Sequence, residues 1–275
     1  MRQVASAVGG MVLGQIPARN TRGQVGAMLR GLHARNLMTT PTREHWQEAF
    51  ALEQSSMRDF PDSPWGYIGS ALMLLNGSFQ GFIDRPRDEV LDEAEDLAER
   101  ALAMAPDNYM GHYTAARVLA TRGHFREALR QFEEAARLNP SDPLVLIAMS
   151  MPLLFTGDTE RAKAILEHAR SVDPLHGDWL LVQLGWAHWQ AGECEKGLDA
   201  MHRMASPPVS SLTMLASLQI CTGDTAQARE TIAALLEARP DYSIQEEIRI
   251  NPSDWKPDGT LERWLDGLRQ AGLPG

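Results

Sequence analysis

The chain has 275 residues, with 26 lysines and arginines against 36 aspartates and glutamates, giving a net charge of −10 at pH 7 and an isoelectric point near 5.3. That balance excludes sequence-independent binding to DNA or RNA, which needs a basic surface to displace counterions. No apolar run approaches the ~18 residues that a membrane-crossing helix requires. Two cysteines, Cys194 and Cys221, fit buried thiols in a reducing, cytoplasmic compartment.

The first stretch, Met1–Ile16, carries Val4, Ala7, Val8, Met11 and Val12 on one helical face. Its glycines and Gln15 make it a poor secretory signal, so residues 1–20 are read as an N-terminal helix. Val25–Met38 repeats the helical spacing through Val25, Met28, Leu29, Leu32 and Leu37. Pro41 breaks it, and Thr42 is placed to cap a second helix, His45–Arg58, which stops at Phe60-Pro61. Pro64 opens the next helix, Trp65–Asn76. An irregular insertion, Gly77–Arg87, and a partner helix, Asp88–Ala105, follow. The acids of Arg87–Arg100 are interleaved with arginines and read as a solvated helix face.

The next two segments repeat one another. Gly123 and Gly157 stand 34 residues apart; each is followed by an alanine (Ala128, Ala162) and then by a proline (Pro140, Pro174). A period of about 34 with two apolar helical stretches is the signature of stacked helix–turn–helix units. Pro61 and Pro106 are 45 apart, so the preceding unit carries about eleven extra residues. Gly192 and Gly223 mark two further turns, the first with its second helix cut short by Pro207-Pro208, and Pro240 ends the array. Glycine at each turn reaches positive φ and closes the helix before it. Asp158, Glu193 and Asp224 follow the turns as candidate caps for the next helix. Small residues recur where paired helices touch: Ala116 with Ala128, Ser150 with Ala162, Gly185 with Gly197, Ala216 with Ala228. Asp241–Asp258 reads as irregular. Gly259–Ala271 reads as an amphipathic helix, with Leu261, Trp264, Leu265 and Leu268 capping the array.

This pattern resembles the tetratricopeptide repeat family. Repeats beginning at Tyr109 and Pro143 carry the family's small residue, two alanines and proline as Ala116, Ala128, Ala135, Pro140 and as Ser150, Ala162, Ala169, Pro174. A repeat beginning at Val209 keeps Ala216, Ala228 and Pro240 but has Leu235; the one at Asp178 departs, with Gly197, Met204 and no proline in register. The resemblance implies an all-α, right-handed superhelical solenoid of about six helix pairs over residues 21–240, with terminal capping helices and a separate tail, 241–275. The layout, including ERALAMAPDN, EEAARLNPSDP and LERWLDGLRQAGLPG, is also similar to the C-terminal halves of bacterial class III adenylate/guanylate cyclases and winged-helix regulators. That similarity implies a detached regulatory half or an independent repeat protein of the same lineage.

The sequence holds no phosphate-binding glycine loop, zinc-ligand motif or nucleophile elbow, and its histidines are scattered over different repeats. The expectation is therefore no enzyme, no cofactor and no metal. In the resembled family the first helix of each repeat lines a concave groove. Those positions fall here on Trp65, Ile68 and Leu72; on Met110, Tyr113 and Arg117; on Ile147 and Met151; and on Trp179, Val182, Trp186 and Trp189. The lining is apolar and aromatic, so the expected partner is an apolar protein or peptide segment laid in the groove. A core role for the tryptophans is the competing reading, and a homodimeric scaffold is the alternative function.

Overall fold

The structure, a computed structural model, describes residues 21–40, 42–174, 177–204, 207–251 and 254–275. The helix expected over residues 1–20 lies outside them. Fourteen α-helices occur among the described residues: α1 (Thr21–Leu37), α2 (Arg43–Asp59), α3 (Pro64–Gln80), α4 (Arg87–Met104), α5 (Tyr109–Thr121), α6 (Phe125–Leu138), α7 (Pro143–Phe155), α8 (Thr159–Val172), α9 (Asp178–Gln190), α10 (Cys194–His202), α11 (Leu212–Cys221), α12 (Thr225–Ala238), α13 (Ile244–Ile250) and α14 (Thr260–Gln270). The first twelve form the six expected pairs. The chain divides into two compact units, one ending at Asn139 and one running from Pro140 to Gly275.

Glycine chemistry makes the turns. Gly123, Gly157, Gly192 and Gly223 all have φ between 75° and 88°, a region that side chains with a Cβ disfavour. Each turn closes with the residue after glycine donating to a carbonyl five back: His124 to Leu119 (2.9 Å), Asp158 to Leu153 (2.8 Å), Glu193 to His188 (2.8 Å) and Asp224 to Gln219 (2.9 Å). These are Schellman closures, which satisfy carbonyls the helix leaves open. The next helix is then capped by the side chains of Asp158 and Asp224, which accept from the amides of Arg161 and Gln227. Thr42 caps α2 in the same way through His45. Glu193 departs from expectation. Its carboxylate makes no cap bond and instead takes His188 at 2.8 Å, Lys163 at 3.2 Å and Lys196 at 3.3 Å. The His188 hydrogen bond, ahead of the two lysines, lowers its pKa to about 2.

In the first unit, α1 packs on α2 and α3, α3 on α4 and α5, and α5 on α6. The expected loop Gly77–Arg87 begins as helix, because α3 continues to Gln80 and stops at Gly81 with φ 68°, and only 81–86 is irregular. Compared with α5 and α6, α3 and α4 are each four residues longer, 17 and 18 against 13 and 14. The connection 81–86 is three residues longer than 122–124. The insertion is thus spent chiefly on an extra turn of each helix, whose apolar residues Ala71, Leu74, Leu75, Val90, Leu91, Ala94 and Leu97 are buried together.

In the second unit, α7 packs on α8 and α9, α9 on α10 and α11, and α11 on α12. Small residues allow the paired helices to touch: an added Cβ at Gly197 would lie 3.4 Å from the carbonyl oxygen of Gly185 and 2.5 Å from Leu218. The tail belongs to this unit. Its middle, expected to be irregular, contains the short helix α13, and α14 lies along α11. Leu261, Trp264, Leu265 and Leu268 are all buried, as an amphipathic cap requires. Upstream of α14 the tail reaches back to α7, where the amide of Lys256 donates to the carbonyl of Phe155 at 3.0 Å.

Candidate partner-binding site and the tryptophan core

The aromatic residues of α9 are divided by the tail. Asp178–Gln190 places Trp179, Val182, Trp186 and Trp189 along one side at helical spacing. Toward the C-terminal end, Trp255 and Trp264 arrive from the tail. The four rings of Trp186, Trp189, Trp255 and Trp264 lie with all centroid separations between 4.5 and 6.5 Å. Phe155 adds an edge contact with Trp255 at 5.1 Å. Trp189, Trp255 and Trp264 are buried, and Trp186 is partly buried against them. Offset and edge-to-face aromatic pairs of this kind add stability beyond the area they bury.

Each buried indole N–H of the tail finds an acceptor. Trp255 donates to Gln190 Oε1 at 2.9 Å, and Gln190 Nε2 donates to the carbonyls of Leu154 and Lys256 and to Thr159 Oγ1. Trp264 donates to Glu247 Oε2 at 2.8 Å. The other carboxylate oxygen accepts from Tyr242 at 2.6 Å, and Asn251 donates to Oε2 at 2.9 Å. Burial first, and then the neighbouring Glu247, raises the Tyr242 phenol above its ordinary range. Gln190 and Glu247 were not singled out in the sequence. The signal available was that of polar residues on otherwise apolar or short helices, and it is a weak one.

The expected groove residues therefore have different fates. Trp189 belongs to the core beneath the tail rather than to an open groove, because Trp255, Trp264 and the Arg263 guanidinium, 4.4 Å above its ring, pack against it. Ile147 on α7 is also buried. Trp179 is 39% exposed, and Val182, Trp186 and Met151 are half-buried on the packed pair α7 and α9. In the first unit Ile68, Met110 and Tyr113 are buried, whereas Trp65, Leu72 and Arg117 are half-buried on α3 and α5. Arg117 donates to the Tyr113 hydroxyl at 2.8 Å and lies 5.7 Å from its ring centre.

The two cysteines correct another expectation. They form a disulfide, Cys194–Cys221, with 6.0 Å between Cα atoms, rather than two thiols. The start of α10 and the end of α11 meet there because those helices pack as neighbours. Among the described residues no group of three or more histidine, cysteine, aspartate or glutamate side chains is arranged to hold a metal ion, and no helix is long and apolar enough to cross a membrane.

Residues 109–142 match the tetratricopeptide repeat family, in the frame that begins at Tyr109. Comparison with curated proteins gives no match. Among solved structures, PilW, described as a widely conserved type IV pilus biogenesis factor, aligns with a TM-score of 0.59 at 16% identity, over 82% of this chain and 98% of that one. PilF of Pseudomonas aeruginosa aligns at 0.57 and 14%, over 80% and 95%. A chain of the APC/C hetero-tetramer Cut9–Hcn1 aligns at 0.62 and 14%, over 90% and 47%. The fold is an all-α helical-repeat array of the tetratricopeptide type.

Proposed function

We propose that this protein is a non-catalytic interaction module, and that an apolar or aromatic segment of a protein partner docks on the α7/α9 face of the second unit. The observation that carries this reading is Trp179. It remains 39% exposed on the same helical side whose other tryptophans the tail has drawn into the core. Val182, Trp186 and Met151 on the packed helices α7 and α9 are half-buried, so apolar surface remains for a partner segment to cover. Tryptophan is favoured at such places because it contributes a large area at low entropic cost. Trp65, Leu72 and Arg117 form a second, smaller candidate surface in the first unit.

The disulfide favours an oxidising compartment over the cytoplasm expected from composition.

Site-specific photo-crosslinking tests the reading. A benzophenone amino acid placed at Trp179 is expected to capture a partner protein in the source cell, and the same group at exposed Glu230 on α12 is not. Capture of a second copy of this chain from Trp179 would move the homo-oligomeric scaffold ahead. Equal capture from both positions would remove the α7/α9 face from consideration.

A further inference from the structure

A pocket of about 530 Å³ opens between α9, α11 and α14. Its volume is within the range of small-molecule sites. Trp189, Ile220 and the Cys221 end of the disulfide give it apolar walls, and Arg263, Asp266 and Ser217 supply its polar groups.

Two of those polar groups have unused capacity. Arg263 lies 4.4 Å over the Trp189 ring and gives one hydrogen bond, from Nη2 to the carbonyl of Gln190 at 3.2 Å. Among the described residues no carboxylate comes within ion-pair distance of it, since Asp266 is taken by Arg269 at 2.7 Å. Desolvation lowers the Arg263 pKa, consistent with a cation sunk against an indole and left without a counter-charge. Ser217 is 2% exposed, and its hydroxyl has no hydrogen-bond partner. It sits beneath Gly267, where an added Cβ would come within 3.2 Å of Oγ. A glycine in the middle of α14 costs about 1 kcal/mol of helix propensity relative to alanine, and its presence lets α14 lie directly over the buried hydroxyl.

We infer that this pocket binds a small monocarboxylate with an apolar, aromatic body. The carboxylate pairs with Arg263 and takes the Ser217 hydroxyl as a second donor after a rotation of its side chain. The body lies along Ile220, Trp189 and the disulfide. A guanidinium is the cation best matched to a planar carboxylate. Asp266 at the same pocket repels a second negative charge, which selects against dicarboxylates and phosphate esters. The apolar walls select against bare inorganic anions.

The test is calorimetric titration of the full chain with 2-naphthoate. Its uncharged counterpart 2-naphthylmethanol, 2,6-naphthalenedicarboxylate and sulfate are run alongside. Wild type is expected to bind 2-naphthoate at least tenfold more tightly than any of the other three. Arg263→Met, which keeps the apolar stem over Trp189, is expected to weaken 2-naphthoate at least tenfold, and Arg263→Lys to weaken it less. Ser217→Ala is expected to weaken it severalfold without loss of helicity. Asp266→Asn is expected to admit the dicarboxylate. No binding of 2-naphthoate by wild type at millimolar concentration would overturn the inference. So would equal binding of 2-naphthylmethanol, displacement by sulfate, or unchanged affinity in a folded Arg263→Met variant.

Discussion

A carboxylic acid without a partner is buried in the first unit. Glu53 is 3% exposed, and its Oε2 has no hydrogen-bond partner. Its carboxyl fits against α3 only because Gly69 lacks a side chain; a Cβ there would lie 2.1 Å from the carboxyl carbon. Burial raises its pKa from 4.5 to about 8. Below pH 4.5 the group is protonated whether the chain is folded or not. Between pH 4.5 and about 8 only the unfolded chain releases the proton, so stability falls as pH rises, by roughly 3 kcal/mol between pH 4.5 and 7. Glu53→Gln is expected to remove that slope, with urea midpoints at pH 5 and pH 8 drawing together relative to wild type. An unchanged slope would mean that Glu53 is ionised in the folded protein. Gln190 is the corresponding residue of the second unit. It accepts from Trp255 and donates to three oxygens of α7, α8 and the tail, so Gln190→Ala leaves several buried groups unpaired. The expected loss is about 2–4 kcal/mol in denaturant unfolding.

At the scale of elements, the repeat turns and the capping helix α14 were legible in the sequence, and the contacts made by Trp255, Lys256 and Glu247 were not. Gly123, Gly157, Gly192 and Gly223 act through their own φ, and the prolines act on the residue before them, so a single chain suffices to place them. The last turn of α3 is read as loop from the sequence because Gly77 and Ser78, with Gly81 close behind, are weak helix formers, whereas α4 is legible at nearly its full length. The disulfide was missed because Cys194 and Cys221 meet only once α10 packs on α11. Closing a loop with a sequence separation of 27 stabilises by about 3–4 kcal/mol in the chain-entropy treatment. Reduction is therefore expected to lower the denaturant midpoint, and thiol titration of the unreduced, denatured protein is expected to find no free cysteine. Two titratable thiols would contradict the bridge. Trp264→Ala removes a fully buried side chain of α14 and is expected to cost about 3–5 kcal/mol, with a red shift in tryptophan emission as the remaining rings meet water.

For the whole molecule, each unit closes its own core, one between α3 and α4 and one under the tail. The tryptophans of α9 show how far a family resemblance reaches. It identified the helical side on which Trp179, Trp186 and Trp189 lie. It carried no information on Trp255 and Trp264, which are distant in sequence and decide which of those rings remain open. The central claim is this division: Trp189 holds the fold, and Trp179 remains available to a partner. Parallel thermal unfolding and partner capture for Trp179→Ala and Trp189→Ala tests it most directly. The account predicts that Trp179→Ala melts within about 2 °C of wild type, as a surface change should, and loses the partner. Trp189→Ala should melt lower by more than about 5 °C. A Trp179→Ala protein that loses stability while keeping its partner, or a Trp189→Ala protein that keeps its stability and loses the partner, would contradict it.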